Sequence, residues 1–459
     1  MVKNKLILIF IDILIRKCYN NNSWGEFKLK RKIDNSLLLW KNKSNRMPLL
    51  IYGARQVGKT HTLREFGDKY YKNVAYINLE TNMTVTSYFN ENIEPERIIR
   101  FLETEIRERI VPGDTLIIFD EVQSCERALT SLKYFNEKMP EYHIACAGSL
   151  LGVAINRDRY SFPVGNVDSV TLFSLDFEEF LWALGEEQLC DNIKVSFDSN
   201  EALPSALHEK ALDLYRLYLI TGGMPRAVLE YMQTKSLIPV PDVQRKIVND
   251  YIADMAKYAS NAESVKIRAA YNSIPVQLAK DNKKFQYKLA QRGGTATIFG
   301  AAIDWLQFAG IVLKCARIEH GLMPISVYND LSSFKLYMGD VGLLTMVSGI
   351  SQQTVLSAGE TENTFLGAIS ENYVAQSLTS KNFGLYYWSN DGTAELDFII
   401  QKSNDIIPIE VKTGIRTKSK SLNVFVEKYK PAYSIRISSR NFGFENNIKS
   451  VPLYAAFCL

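Results

Sequence analysis

The residues best suited to chemistry form one eight-residue segment near the start of the chain. Their types and spacing follow the pattern G-x-x-x-x-G-K-[ST] of a phosphate-binding loop. The segment is Gly53, Ala54, Arg55, Gln56, Val57, Gly58, Lys59 and Thr60, and His61 follows it. In such a loop, backbone N–H groups point at the phosphates, and the positive end of the next helix adds to the attraction. The pattern predicts a nucleoside triphosphate site, and we assign all nine residues to it.

The last two residues of the loop have distinct predicted roles. Lys59 is expected to reach the β- and γ-phosphates of ATP and to act in catalysis, whereas the Thr60 hydroxyl is expected to ligate Mg²⁺. An apolar strand at 48–52 and a helix at 60–71 must hold the loop between them. Because the sequence supplies both elements, it favours a phosphate-binding loop over a simple glycine-rich turn.

A second apolar strand, at 115–119, is followed by two carboxylates, Asp120 and Glu121. Asp120 is expected to hold Mg²⁺ at the end of the strand, and Glu121 to orient or deprotonate the attacking water as a catalytic residue. A third strand, at 143–147, leads to Ser149. This serine is predicted to sense the γ-phosphate, and capping of the next helix is an alternative role that is compatible with the first.

The C-terminal region contains a second group of chemically suited residues. Asp397 lies in one apolar strand and Glu410 and Lys412 in the next, with the spacing D-x12-E-x-K. Side chains alternate along a strand, so Glu410 and Lys412 share a face, and an antiparallel hairpin can bring Asp397 beside them. These residues could form a PD-(D/E)xK phosphodiesterase site, with Asp397 and Glu410 on Mg²⁺, Lys412 activating water and Glu371 completing the site. A hairpin with a solvated polar face is the alternative.

Length and composition set limits on the fold and the partners. The chain has 459 residues, of which 46% are hydrophobic and 23% charged, as in an ordinary globular protein of about two or three domains. Its formal net charge of +4 is small, so charge alone does not require a polyanionic partner. The six cysteines form no C-x-x-C pair and the four histidines show no metal-ligand spacing. This pattern predicts a reducing compartment and no structural zinc.

Five consecutive regions are predicted. They are an N-terminal extension at 1–28, a P-loop ATPase core at 29–185, a helical lid at 186–240, a winged-helix-like domain at 241–345 and a nuclease-like domain at 346–459. In the extension, an apolar run is too short to span a membrane and contains a charge. We therefore expect no stable membrane insertion, and peripheral membrane association through this run is the weaker alternative.

Two finer expectations concern the middle of the chain. Residues 186–202 are polar and are predicted to form a loop. The winged-helix-like domain is predicted to end in a hairpin of strands at 311–318 and 325–328. Near its predicted recognition region lie five basic residues, which would either contact DNA phosphates or form a solvated helix face. They are Lys280, Lys283, Lys284, Lys288 and Arg292.

Taken together, these motifs resemble prokaryotic AAA+-type ATPases whose C-terminal domain is similar to PD-(D/E)xK nucleases. The resemblance spans about residues 29–459 and is carried by the P-loop and by segments 119–123, 147–151, 162–165, 175–180, 222–225 and 409–414. It implies ATP binding at the loop and hydrolysis assisted by Asp120 and Glu121. Pattern and resemblance together predict an α/β fold, in which a parallel P-loop AAA+ sheet and a helical lid are joined to a winged-helix-like region and a C-terminal α/β restriction-endonuclease-like domain.

The resulting functional prediction is a cytoplasmic ATPase that uses ATP and Mg²⁺ and couples hydrolysis to a DNA-directed task through its C-terminal domain. The alternative is a nucleotide-dependent switch or scaffold whose C-terminal domain binds a partner and cuts nothing. Arg157 and Arg159 are candidate arginine fingers, which would act across the subunit boundary of a homo-oligomer.

Overall fold

A computed structural model describes residues 28–149, 151–155, 165–357, 364–390, 394–413 and 420–459. The predicted extension, apart from Lys28, therefore lies outside the described residues, as do Arg157 and Arg159. Within the described ranges, no helix is both long and apolar enough to cross a membrane.

The N-terminal third alternates strands and helices. Its strands are β1 (Leu49–Tyr52), β2 (Asn73–Asn78), β3 (Thr115–Asp120), β4 (His143–Ala147) and β5 (Asp168–Thr171). Its helices are α1 (Ile33–Lys41), α2 (Lys59–Tyr70), α3 (Met83–Glu91), α4 (Pro95–Ile106), α5 (Glu126–Lys138), α6 (Leu151–Ile155) and α7 (Phe177–Ala183). The strands form a parallel sheet in the order β2-β3-β4-β1-β5. Because β1, β4 and β3 are neighbours, the residues that follow them meet at one edge of the sheet.

Glycine is required at both ends of the P-loop, which joins β1 to α2. Gly53 has a backbone φ of 140° and Gly58 one of 100°, and residues with a Cβ rarely adopt these values. A Cβ on Gly53 would also lie 2.1 Å from the carbonyl oxygen of Leu172. The loop can therefore pack against the chain after β5 only if this residue has no side chain.

Helices make up most of the middle of the chain. They are α8 (Glu187–Ser199), α9 (Ser205–Thr221), α10 (Pro225–Thr234), α11 (Val240–Tyr258), α12 (Asn261–Leu278), α13 (Tyr287–Ala290) and α14 (Ala296–Phe308). The prediction of a polar loop at 186–202 is wrong, because α8 occupies most of that range. Leu189, Cys190 and Ile193 form its buried face, and such a narrow apolar stripe is easily hidden in a polar segment.

The C-terminal part is built on a mixed eight-stranded sheet in the order β12-β13-β11-β10-β9-β8-β6-β7. Its strands are β6 (Val312–Ile318), β7 (Asn329–Met338), β8 (Tyr386–Asn390), β9 (Ala394–Lys402), β10 (Asp405–Val411), β11 (Ser434–Ser438), β12 (Gly443–Glu445) and β13 (Ile448–Pro452). The accompanying helices are α15 (Val341–Ser348), α16 (Gln352–Leu356), α17 (Thr364–Ser380) and α18 (Lys420–Tyr429).

The hairpin predicted as a wing is part of this larger sheet. Its second strand is β7, whereas the predicted range 325–328 forms a short 3-10 turn. The first strand, β6, pairs antiparallel with β7 and parallel with β8. A two-stranded wing would leave an edge of the apolar strand β6 without hydrogen-bond partners, and β8 satisfies that edge. The boundary predicted between residues 345 and 346 therefore divides a continuous sheet.

The C-terminal part lies directly against the P-loop. A Cβ built on Gly310, in the turn before β6, would come within 3.2 Å of the backbone nitrogen of Ala54. A largely apolar cavity of about 570 Å³ lies beside this contact and is lined by the start of the loop and by residues of segments 307–314 and 338–340. The P-loop is thus in contact with chain segments far from it in sequence.

Candidate functional site

The P-loop lysine is bound to its own loop. The Lys59 ammonium group donates to the carbonyl oxygens of Gly53 and Ala54, both at 2.8 Å. Burial lowers the pKa of Lys59 to about 8, although Glu121 and Asp120 act in the opposite direction. A phosphate group would offer this buried cation a full counter-charge, so the loop is well suited to bind an anion.

The predicted Mg²⁺ ligands are adjacent to each other. Thr60 Oγ1 donates to Asp120 and lies 2.9 Å and 3.1 Å from its two carboxylate oxygens. Asp120 also accepts hydrogen bonds from the Tyr76 hydroxyl at 2.8 Å and from the Glu121 backbone N–H at 3.1 Å. A hydroxyl and a buried carboxylate are oxygen donors of the kind Mg²⁺ prefers, and the phosphates and water would supply the other ligands. These residues therefore fit Mg²⁺.

Glu121 and Ser149, the two other predicted catalytic residues of this site, are in contact. Glu121 has the left-handed φ of 50°, which turns the chain sharply after β3. One of its carboxylate oxygens accepts a hydrogen bond from the Gln123 amide at 2.5 Å and lies 3.3 Å from Ser149 Oγ. Gln123 and Ser149 thus fix the orientation of the Glu121 carboxylate.

Two of the assigned residues, Ala54 and Val57, do not offer their side chains to a ligand. The side chains of Ala54 and Val57 are buried in the hydrophobic core. The His61 imidazole is exposed, with Nδ1 3.8 Å from Glu65. Ala54 and Val57 can therefore contribute only main-chain groups, which is how a phosphate-binding loop holds its ligand.

Arg31 supports the P-loop and was missed by the sequence analysis. Its buried guanidinium donates to the carbonyl oxygens of Val57 at 3.1 Å and Phe173 at 2.7 Å, and it forms an ion pair with Glu179 at 3.2 Å. Glu179 also forms the capping box of α7 with Asp176. The arginine that joins this capping box to the loop lies far away along the chain, so no local pattern indicated it.

A second missed feature is the contact between the P-loop and α11. The guanidinium of Arg55 is paired with Asp254, and the Gln56 amide donates to Asp250 at 2.5 Å. Between them, the Tyr251 hydroxyl donates to the carbonyl oxygen of Arg55 at 3.2 Å. The side chains of Arg55 and Gln56, at variable positions of the loop pattern, therefore both bind residues on one face of α11.

The β9–β10 hairpin brings Asp397, Glu410 and Lys412 together. Lys412 Nζ lies 2.7 Å from a carboxylate oxygen of Glu410, and Asp397 accepts a hydrogen bond from the Val411 backbone N–H at 2.8 Å. Burial, together with the carboxylates of Glu371 and Glu410, raises the pKa of Asp397 to about 8. Asp397 therefore holds its proton more strongly than an ordinary aspartate.

Two further lysines enter this cluster. Lys283, predicted as a DNA contact, is instead paired with Glu371, which also accepts from the Tyr337 hydroxyl at 3.2 Å. Lys335 is fully buried, and its Nζ lies 2.6 Å from Glu395. Burial raises the pKa of Glu371, but the charges of Lys283 and Lys335 and the hydrogen bonds from Lys283 and Tyr337 together outweigh it, so the pKa lies below its usual value.

This arrangement does not fit the predicted Mg²⁺ site at Asp397 and Glu410. Both predicted ligands already have partners, because Asp397 accepts from the Val411 backbone N–H and Glu410 is paired with Lys412. Across the described part of the chain, no group of three or more Asp, Glu, His or Cys side chains is arranged to hold a metal ion. The residues of the cluster are Lys283, Lys335, Glu371, Glu395, Asp397, Glu410 and Lys412.

Three family models match the chain. Residues 45–181 match an AAA domain, residues 212–354 a domain of unknown function (DUF8612) and residues 366–456 another domain of unknown function (DUF4143). The second match contains β6 and β7 and the third contains β8 to β13. The mixed sheet therefore joins two regions that the family models separate.

Several solved structures are similar to parts of the chain. The Walker-type ATPase of Pyrococcus abyssi is 15% identical, with a TM-score of 0.43, and the match covers 70% of this chain and 96% of that one. The Aeropyrum pernix ORC2 protein with ADPNP and ADP is 13% identical at TM-score 0.34, with coverages of 74% and 92%. AMPPCP-bound DnaA from Aquifex aeolicus is 16% identical at TM-score 0.29, with coverages of 60% and 86%.

No curated protein matches the chain. The AAA family model covers the P-loop, β3 and Ser149, which are the parts of the chain that carry the nucleotide-site geometry. Family model and geometry agree on an AAA-type P-loop domain within residues 45–181.

Proposed function

We propose that this protein is an ATPase that binds ATP at the P-loop and hydrolyses it with Mg²⁺. The observation that carries the proposal is the contact of Thr60 with Asp120. The loop and the acidic strand end are separate in sequence, yet they meet where a phosphate-bound cation would need both.

Each residue would have a defined task in hydrolysis. Lys59 would leave the carbonyl oxygens of its loop and bind the phosphates, because an anion is a stronger partner for a buried ammonium group. Bound Mg²⁺, held by Thr60 and Asp120, would neutralise charge on the phosphates. Glu121 would orient the attacking water and accept its proton, and the contact with Ser149 would keep its carboxylate in place.

Turnover by a Glu121→Gln variant tests this proposal. The amide keeps the size of the side chain but cannot accept a proton, so we expect ATP binding to persist and phosphate release to fall by about a hundredfold or more. Glu126→Gln, in the first turn of α5, is the matched control and should turn over normally. Equal turnover by Glu121→Gln and wild type would refute the assignment.

For the C-terminal part, we propose a partner-binding module that cuts nothing and responds to the nucleotide state. The lysines around Glu371 and Asp397 favour this candidate, because they supply the positive charge that a nuclease would take from a metal ion. The β8–β13 region would then serve the ATPase as a scaffold.

The other candidate is a nuclease-like domain through which ATP hydrolysis acts on DNA. Its support is the exposed basic residues Lys280, Lys288 and Arg292, which could neutralise phosphates. Incubation with supercoiled and branched DNA, with and without ATP and Mn²⁺, distinguishes the two. Cleavage by wild type that Asp397→Asn abolishes would establish the nuclease, whereas intact DNA in both reactions supports the partner-binding module.

A further inference from the structure

The Arg55–Asp254 pair lies beside Ser149, the residue predicted to sense the γ-phosphate. Burial, Glu121 and Asp120 have the largest effects on the pKa of Lys59. Both members of the pair also act on it: the Arg55 guanidinium lowers this pKa and the Asp254 carboxylate raises it. The pair also borders the same small cleft as Ser149.

The two members of the pair differ in their freedom to move. The Arg55 side chain is 42% exposed, whereas the Asp254 side chain is 6% exposed and is fixed within α11. Burial raises the pKa of Asp254, and Arg55 opposes this shift, so the arginine is the main stabiliser of the buried carboxylate. If Arg55 leaves, Asp254 faces any bound phosphate without its counter-ion.

We propose that Arg55 is a γ-phosphate sensor, and that Asp254 holds it while no triphosphate is bound. The inference rests on the proposed function, because it requires ATP in the P-loop. A γ-phosphate accepts two parallel hydrogen bonds from a guanidinium and carries more charge than one carboxylate, so it competes with Asp254 for Arg55. ADP has no γ-phosphate and leaves the pair intact.

The exchange would act on α11 as a whole. Without nucleotide, this helix contacts the loop through Asp250, Tyr251 and Asp254, which lie on one face within a single turn and a half. Loss of the Arg55 contact, and repulsion between Asp254 and the triphosphate, would weaken the hold of α11 on the P-loop. The middle region would thus respond to ATP and not to ADP.

Binding of AMPPNP and of ADP, each with Mg²⁺, tests the proposal by calorimetry. We expect Arg55→Gln to weaken AMPPNP binding by about tenfold or more and Asp254→Asn to tighten it by a similar factor, since charge-assisted contacts are worth roughly this much. ADP affinity should stay within about twofold in both variants, by the same reasoning. Arg55→Lys should recover part of the AMPPNP affinity. The control is Asp242→Asn, which removes an exposed ion pair with Arg245 on the same helix.

A purely structural role would change the two affinities equally. Equal changes for AMPPNP and ADP, or no change in either variant, would overturn the sensor. Failure of wild type to bind either nucleotide would instead refute the proposed function. Amide hydrogen exchange gives a second readout: AMPPNP, but not ADP, should accelerate exchange in α11 of wild type, and equal exchange with both nucleotides would contradict the inference.

Discussion

Thr60 and Asp120 are hydrogen-bonded although 60 residues separate them, with Oγ1 2.9 Å from the nearer carboxylate oxygen. The contact links the first turn of α2 to the end of β3. It defines where a cation would have to lie between the loop and the acidic strand end.

Replacement of either residue should act mainly through Mg²⁺. Thr60→Ala and Asp120→Asn each remove one oxygen donor, so we expect the Mg²⁺ concentration for half-maximal ATPase activity to rise by about tenfold or more. Titration of Mg²⁺ at fixed ATP measures this. The two effects should be less than additive, because the residues serve one ion. An unchanged Mg²⁺ requirement in both variants would contradict the assignment.

The pH dependence of nucleotide affinity should report Lys59. Burial lowers its pKa to about 8, so the free protein loses the ammonium charge as pH rises through that value. Phosphate binds the ammonium form, and binding must then take up a proton. The Kd for MgATP should therefore be flat below about pH 7 and should rise towards tenfold per unit above about pH 8.

Calorimetry between about pH 6.5 and pH 9.5 measures this slope. Lys59→Arg is the control, because a guanidinium stays charged and the rise should disappear. A flat wild-type profile, or the same slope in Lys59→Arg, would show that another group titrates.

Loss of Arg31 should destabilise the domain as well as the loop. Arg31→Met leaves the buried Glu179 without its ion-pair partner and removes hydrogen bonds to Val57 and Phe173. We expect the free energy of unfolding to fall by about 3 kcal/mol. Arg97→Met, at an exposed position, should change it by less than about 0.5 kcal/mol. Chemical denaturation measures both, and similar stability of the two variants would contradict the role of Arg31.

The C-terminal cluster should depend on Lys283 for stability. Lys283→Met leaves Glu371 without one of its two lysine partners, and we expect a loss of about 3 kcal/mol in the free energy of unfolding. Adding Glu371→Gln to this variant should restore part of the lost free energy of unfolding, because the buried carboxylate charge of Glu371 is then removed. Lys280→Met is the exposed control. A Lys283→Met variant as stable as wild type would mean that the ion pair contributes nothing.

Local patterns predicted the parts of the fold and site that depend on neighbouring residues. The P-loop between β1 and α2 and the acidic end of β3 follow from spacing over a few residues. The pairing of β9 with β10 follows in the same way, because alternation and a short turn define a hairpin.

The remaining features depend on contacts that are distant along the chain. Arg31 reaches Phe173 across 142 residues and Arg55 reaches Asp254 across 199, and no local pattern encodes such partners. The sequence pattern missed a partner of the predicted wing for the same reason: β6 and β7 do form a hairpin, but the other edge of β6 pairs with β8, which lies beyond three further helices. Lys283 was a candidate DNA contact because of its positive charge, but in the structure it is paired with Glu371 on α17.

Calorimetric titration of MgATP into wild type, Lys59→Ala and Lys69→Ala tests the nucleotide site most directly. Lys69 is an exposed lysine on the same helix and serves as the control. We expect wild type and Lys69→Ala to bind alike and Lys59→Ala to lose about a hundredfold or more in affinity, because the buried charge that meets the phosphates is gone. Equal binding by Lys59→Ala and wild type, or no binding by wild type, would contradict a P-loop that holds ATP.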